Sequence, residues 1–306
     1  MLREQKDDVF ATVFNVVHGS FVDGWGIRTT VFLKGCPLRC LWCCNPESQR
    51  REPELQIISE HCSGCGRCLK RCEKGALSLG DDSLIRVDRN LCDGCGDCVR
   101  HCWPGALSIW GTRRSAQEIF EECSRDAGFY RESGGGVTLS GGEPTLQPEF
   151  CLEMERLCHA AGISVAIDTC GQVLTEAGLE VLRQADLVLF DIKGLDAGLH
   201  QRNTGVNNRV IQRNLQLLEE WGKPVIVRYP VIPHHNQQEA EGIADLIAAL
   251  TCVKRVDLIP YHSYGTGKYP QLGRTYPLEE EAIPEEAQQH LLRRFQARGL
   301  QAQLGG

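Results

Sequence analysis

The segment 62-CSGCGRCLKRCEKGALSL-79 returns thirty residues later as 92-CDGCGDCVRHCWPGALSI-109. Both copies space their cysteines C-x2-C-x2-C-x3-C and run into the same Gly-Ala-Leu-Ser tail, so chance does not explain them. Gly64, Gly66, Gly94 and Gly96 suit a loop wrapped tightly around a bound group, because glycine tolerates positive φ and leaves backbone N–H groups exposed. Upstream, 35-GCPLRCLWCCNPE-47 sets Cys36, Cys40 and Cys43 where three thiolates can converge on one metal centre. The common centres want four ligands, and no fourth cysteine stands at a matching distance.

Eleven of the 17 cysteines fall in these three groups, and Cys44, Cys123, Cys151, Cys158, Cys170 and Cys252 are scattered. The scattered ones read as small buried hydrophobes. No run of apolar residues reaches membrane-spanning length, and Met1 to Val13 is charged and lacks the order of a signal peptide, so the expected location is the cytoplasm. In that reducing compartment clustered cysteines point to metal ligation rather than disulfides. A net charge of −7 with scattered Lys and Arg leaves no footprint for nucleic acid or an anionic membrane. At 306 residues and 42% hydrophobic content the chain can bury one large core and a smaller unit.

The repeat resembles the bacterial ferredoxin module, in which three cysteines of each run hold one [4Fe–4S] cluster and the fourth crosses to the other. That resemblance implies one cluster on Cys62, Cys65, Cys68 and Cys102 and a second on Cys92, Cys95, Cys98 and Cys72. The proline that usually follows the fourth cysteine is replaced by Glu73 in the first copy and displaced to Pro104 in the second. Paired zinc knuckles are the competing reading, disfavoured because zinc sites usually combine longer loops with two cysteine pairs.

Outside this insert, β-branched runs alternate with helical stretches: 136-GVTLS, 163-ISVAID, 186-DLVLFDIK, 225-VIVRYPVI and 255-RVDLIPY, preceded by a first strand in 26-GIRTTVFLKG-35. Such alternation predicts βα units and a parallel sheet. Ser115 to Glu118 reads as a capping box opening a helix, and Pro284 at a first helical position and Gly299 past the end bracket a last one. Catalytic groups of parallel α/β barrels gather at the C-terminal strand ends, where 140-SGGEP-144, 168-DTCG-171, 191-DIK-193 and 260-PYH-262 lie, joined by Arg228. Each alone is an ordinary turn; four at equivalent positions are harder to dismiss.

The three-cysteine motif with Trp42, followed by Gly-Gly-Glu-Pro after the next strand, resembles the radical S-adenosylmethionine (SAM) superfamily. The stretches 23-DGWGIRTTVFLKGCPLRCLWCCNPES-48, 134-GGGVTLSGGEP-144, 191-DIK-193, 203-NTG-205 and 260-PYHSYGTGKYPQLGR-274 are similar to the glycyl-radical enzyme activating enzymes over nearly the whole chain. The implied fold is a partial (β/α)6 TIM-like barrel interrupted by a ferredoxin-like two-cluster domain, divided as 14–51, 52–112 and 113–306. The resemblance answers the question of the missing ligand: SAM itself chelates the iron left open by Cys36, Cys40 and Cys43. One electron then splits SAM to methionine and a 5′-deoxyadenosyl radical, which takes hydrogen from a backbone glycine of a partner glycyl radical enzyme.

Further roles follow from the same resemblance. Gly141 and Gly142 let the strand end approach the methionyl group, Glu143 offers a carboxylate to its ammonium, and Lys193, Arg228 and His262 suit its carboxylate and ribose. Asp168, Thr169 and Asp191 resemble a site for a monovalent cation, although the two carboxylates could equally pair with Lys193 and Arg228. Trp42 packs near the adenine or shields the cluster. Asp23 lies where the family meets the partner's glycine loop, with Trp25 in place of the usual proline. Cys44, directly after a ligand, is expected to point elsewhere. The resemblance further implies three [4Fe–4S] clusters, electrons from a flavodoxin or ferredoxin, and a monomer, while leaving the partner a lyase, a dehydratase or an arylacetate decarboxylase. Two competing readings are a plain electron-transfer protein, against which the open three-cysteine site speaks, and a radical peptide-modifying enzyme, whose extra cysteines usually follow the barrel.

Overall fold

The computed structural model describes residues 8–279 and 281–305, so the opening residues of the Met1 to Val13 stretch lie outside it. Its strands are β1 (Phe10–Ser20), β2 (Arg28–Leu33), β3 (Glu54–Ile57), β4 (Leu77–Leu79), β5 (Ile85–Val87), β6 (Leu107–Trp110), β7 (Thr112–Ser115), β8 (Gly136–Gly141), β9 (Ser164–Thr169), β10 (Leu187–Asp191), β11 (Val225–Val231), β12 (Val253–Pro260) and β13 (Ala302–Leu304). Nine of them form one sheet in the order β13-β12-β11-β10-β9-β8-β2-β1-β7. From β2 to β13 every pairing is parallel, whereas β1 runs antiparallel to both β2 and β7. The α/β fold with a largely parallel sheet is as the alternation of runs predicted. β1 was not foreseen: its alternation of buried Ala11 and Val13 with exposed neighbours is broken by two register shifts, which blurs the period-2 signal.

Side chains alternate sides along a strand, and that decides what meets in the middle. On β10, Val188 and Phe190 face outward into the main core, with Leu179, Leu182, Ile211 and Leu215. Leu187 and Leu189 face inward and pack with Ala166 and Ile226. One step further along the same inner face stand Asp191, Asp168 and Arg228, with Asp191 paired to Arg228 in register. Beneath them Arg28 is fully buried and donates to Thr138 Oγ1 at 2.7 Å, Val137 O at 2.6 Å and Ser164 O at 3.2 Å. Burial pushes its pKa down to about 10. The inner face is thus apolar at mid-strand and charged at the strand ends.

The helix Ala116–Ser124 opens on the full capping box, with Ser115 Oγ accepting from Glu118 N and Glu118 returning to Ser115 N. Pro284 is one place earlier than expected, as the residue before the helix Glu285–Gln296. Residues 54–110 form two small antiparallel pairings, β3 with β6 and the hairpin β4 with β5, around the cysteine loops. Among the described residues no helix is long and apolar enough to cross a membrane.

Candidate active site

Cys36, Cys40 and Cys43 line one cavity of about 290 Å³ at the C-terminal ends of the parallel strands. All three are free thiols. The loop that carries them is held from several sides. Gly35 N donates to Ser48 O at 2.7 Å and Cys36 N to Gln49 O at 3.2 Å, closing its base. Arg39 N and Leu41 N donate to the carbonyls of Thr204 and Asn203 at 2.7 and 3.0 Å, which gives 203-NTG-205 a physical task. Among the described residues no three His, Cys, Asp or Glu side chains converge closely enough to hold a single ion. Thiolates on a four-iron cubane bind separate irons, so they stand further apart than ligands of one ion do.

The same cavity is lined by Asp23, Trp42, Gly141, Gly142, Asp168, Asp191, Lys193, Arg228 and His262, so most of the expected residues meet there. Asp191 is ion-paired with Lys193, and Asp168 accepts from Arg228 at 3.0 Å and from Ser140 at 2.7 Å. Burial raises the Asp168 carboxyl to about 6 against the pull of Arg228. Burial opposes the charges of Lys193 and Arg228, yet the surrounding carboxylates hold both pKa values above their usual range. Arg228 Nε has no hydrogen-bond partner among the described residues. Asp23 accepts from Ser20 at 2.6 Å and Thr30 at 2.7 Å, a buried position within 3.9 Å of Arg228. Trp42 packs on Ile232 and Tyr261.

Two expected residues turn away. Glu143 is fully buried and does not line the cavity: its carboxylate accepts from Thr145 N and Oγ1, Thr169 Oγ1 and Cys170 N at 2.6–3.2 Å. Thr169 follows Asp168 on β9 and therefore points to the opposite face, where it binds Glu143 and is separated from Asp168 and Asp191. Cys44 also lines the cavity, with its Sγ 3.8 Å from His262 Nε2.

The glycines at the strand end are a close fit. A Cβ on Gly141, where φ is +122°, would lie 2.2 Å from Leu33 O, and one on Gly142 would lie 2.1 Å from Gly35 O. Three soft thiols beside a glycine cradle and paired charges suit an iron–sulfur cluster and a zwitterionic ligand.

Sequence reasoning missed Cys170 and a clamp from the C-terminal third. Cys170 lines the cavity, and its neighbouring thiol holds the Cys36 thiol below its ordinary pKa. Its position two residues past Asp168, on the same face, was the available signal. In the clamp, Tyr269 Oη donates to Cys43 O at 2.9 Å, and Lys268 reaches Asn45 at 3.0 Å and Glu47 at 2.5 Å. Arg274 binds Pro46 O and Glu54, both at 2.6 Å, while buried Lys34 meets Glu54 at 3.2 Å. Burial pushes the Lys34 pKa down. This network ties the cysteine loop to β3 of the insert.

In the insert the eight repeat cysteines divide between two cavities. Cys62, Cys65, Cys68 and Cys102 line one of about 20 Å³, and Cys72, Cys92, Cys95 and Cys98 line another of about 100 Å³. Gly64 and Gly94 both sit at positive φ, where a Cβ would strike Ser83 O at 2.7 Å and Pro53 O at 2.5 Å.

Residues 90–247 match the radical SAM superfamily model and residues 61–107 the 4Fe-4S dicluster domain model. The chain is similar to the isethionate sulfite-lyase activating enzyme of Nitratidesulfovibrio vulgaris, with 43% identity over 91% of this chain and 92% of that one. It is similar as well to the (2S)-3-sulfopropanediol sulfolyase activating enzyme of Bilophila wadsworthia, with 45% identity over 91% of this chain and 93% of the relative. In fold it resembles SuiB of Streptococcus suis bound to precursor peptide SuiA, with a TM-score of 0.52, 15% identity, and 89% of this chain against 46% of that one covered.

Proposed function

The chain belongs to the activating enzymes of glycyl radical enzymes within the radical SAM superfamily, and from that premise we propose how its own residues carry the activity. Such an enzyme reductively cleaves SAM to a 5′-deoxyadenosyl radical and removes a hydrogen from a backbone glycine of its partner. The observation that carries our reading is the convergence of Cys36, Cys40 and Cys43 with the Asp191–Lys193 and Asp168–Arg228 pairs in one cavity. Cys36, Cys40 and Cys43 would hold a [4Fe–4S] cluster, which would supply the electron for that cleavage.

The remaining work falls to the polypeptide. Gly141 and Gly142 pack so closely on Leu33 and Gly35 that neither has room for a Cβ, which leaves bare backbone at the end of the strand where the methionyl group of SAM would lie. Lys193 and Arg228 hold its carboxylate by charge, and the unpartnered Arg228 Nε is a donor free for that purpose. Glu143 acts from behind, locking the 143–145 turn to the end of β9. Trp42 and His262 flank the adenosine, and Tyr261 and Ile232 close the apolar side against water. Asp23 stands at the cavity wall facing the site of the partner's glycine loop.

We further place β2 and β8–β12 as the six units of a partial barrel, with divisions at 14–51, 52–112 and 113–306. The grouping of the insert cysteines supports two auxiliary [4Fe–4S] clusters, one on Cys62, Cys65, Cys68 and Cys102 and the other on Cys72, Cys92, Cys95 and Cys98, giving three in all. A monovalent cation at Asp168 and Asp191 competes with Arg228 and Lys193 for the same oxygens. The donor we infer is a flavodoxin or ferredoxin, the partner a glycyl radical lyase as for the two relatives above, the setting the cytoplasm and the state a monomer.

The test is anaerobic reconstitution followed by reduction and addition of SAM. The expected result is a SAM-dependent change in the electron paramagnetic resonance signal of the reduced cluster, with release of methionine and 5′-deoxyadenosine. A signal indifferent to SAM would overturn the assignment.

A further inference from the structure

The two cysteine loops of the insert have the same spacing and opposite charge. The loop Cys62–Cys72 carries Arg67, Lys70 and Arg71 and no acid, whereas the loop Cys92–Cys102 carries Asp93 and Asp97 beside Arg100. Arg67 occupies the position that Asp97 holds in the second copy. Arg67, Lys70 and Arg71 are all exposed. Nearby, Trp103 is 84% exposed, with the Arg67 guanidinium 5.7 Å from its ring centre, and Cys65 is exposed as well. A tryptophan left in water is unusual on a free surface, and tryptophan and arginine are both among the residue types enriched at interface hot spots.

Strand register gives the direction of this face relative to the active site. β3 and β6 pair Glu54 with Trp110, Leu55 with Ile109 and Ile57 with Leu107. The Glu54 end is the one bound to Arg274 and Lys34 of the cysteine-loop network. The cavity of Cys72, Cys92, Cys95 and Cys98 is lined by Leu55 and Ile109, one pair from that end, and Gly94 packs on Pro53. The cavity of Cys62, Cys65, Cys68 and Cys102 is lined by Leu107, two residues or about 7 Å further out along the strand. The basic loop Cys62–Cys72, with Trp103 beside its Arg67, therefore belongs to the outer of the two cavities.

We propose that the face formed by Arg67, Lys70, Cys65 and Trp103 docks a small acidic one-electron carrier, whose electron enters at the outer cysteine set and passes inward through the set nearer β3. This rests on the reading that both sets hold clusters. The step moves one electron: the reduced carrier is oxidised by one unit, the outer cluster is reduced by one, and no bond or proton changes hands. Charge complementarity selects an acidic partner, since the face is basic while the chain as a whole carries −7.

The experiment uses the anaerobically reconstituted full chain with reduced flavodoxin as probe. Arg67→Glu combined with Lys70→Glu is expected to slow flavodoxin oxidation about tenfold or more at low salt and to flatten its ionic-strength dependence. Binding of oxidised flavodoxin should weaken in parallel, while iron content and dithionite-driven SAM cleavage stay at the parent level. Glu285→Lys with Glu286→Lys, at the start of the helix Glu285–Gln296 and outside the insert, should leave the flavodoxin rate unreduced. Equal oxidation rates for the parent and the Arg67/Lys70 variant overturn the docking assignment. If Cys95→Ala nevertheless slows flavodoxin-driven turnover, the relay reading survives and only the docking face is wrong; if neither change has an effect, the relay reading falls too. Loss of glycyl radical formation with dithionite as reductant would assign the face to the glycyl radical partner and likewise overturn the proposal.

Discussion

Tyr269 donates its phenolic hydroxyl to the main-chain carbonyl of Cys43 at 2.9 Å, fixing the third cysteine of the trio from a segment 226 residues away. A hydrogen bond of this kind contributes about 1 kcal/mol net, and it acts on backbone geometry rather than on the thiol.

Tyr269→Phe keeps the ring and its edge-on packing against Tyr276 and removes only this bond. The three cysteines should still assemble a cluster, with SAM affinity reduced roughly fivefold, the equivalent of about 1 kcal/mol. Titration of SAM against the reduced cluster's paramagnetic signal reads this directly. An unchanged titration would remove Tyr269 from any positioning role.

Glu54→Gln tests the joint between the cysteine loop and the insert. Glu54 is the shared partner of buried Lys34 and of Arg274, so neutralising it leaves a cation in the interior without its counter-charge. The expected loss is roughly 3–5 kcal/mol of folding stability. Denaturant unfolding under anaerobic conditions measures it, and a loss below about 1 kcal/mol would mean that water compensates the lysine.

Glu143→Gln separates a brace from a ligand contact. The carboxylate accepts four donors, Thr145 N, Thr145 Oγ1, Thr169 Oγ1 and Cys170 N, and an amide cannot accept from all of them. Stability without SAM should fall by about 1.5–3 kcal/mol, the range for hydrogen bonds to a charged group. If only SAM binding changes and the SAM-free protein melts as before, Glu143 touches the ligand after all.

Glu155 gives the chain a pH-dependent stability unrelated to catalysis. It is buried in the helix Pro148–Ala160, neither carboxylate oxygen has a hydrogen-bond partner among the described residues, and burial raises its pKa from 4.5 to about 9. The folded state therefore keeps this proton while the unfolded chain releases it, so its contribution is fully present below about pH 4.5 and is lost as pH rises towards 9. Glu155→Gln removes that slope. The variant's gain in melting temperature over the parent should be larger at pH 8 than at pH 5, and an equal difference at both would show the carboxyl to be ionised in the fold.

Features whose meaning lies within a dozen residues were legible in the chain alone. The cysteine trio, the duplicated loops, the capping box at Ser115 and the run of β strands all follow from local spacing, because ligand geometry, helix pitch and strand period act over that distance. The strand-end positions of Asp168, Asp191 and Arg228 follow too, since the βα order puts those ends on one side of the sheet. The direction of a side chain just beyond a strand end is set by contacts from elsewhere. Glu143 turns inward because Thr169 and Cys170 N offer it donors, and Cys44 turns to the cavity wall, where its thiol lies beside His262. The hold of Tyr269, Lys268 and Arg274 on the cysteine loop joins residues more than two hundred positions apart. No local period encodes such pairings; they exist only once packing of the sheet has brought the two segments within hydrogen-bonding reach.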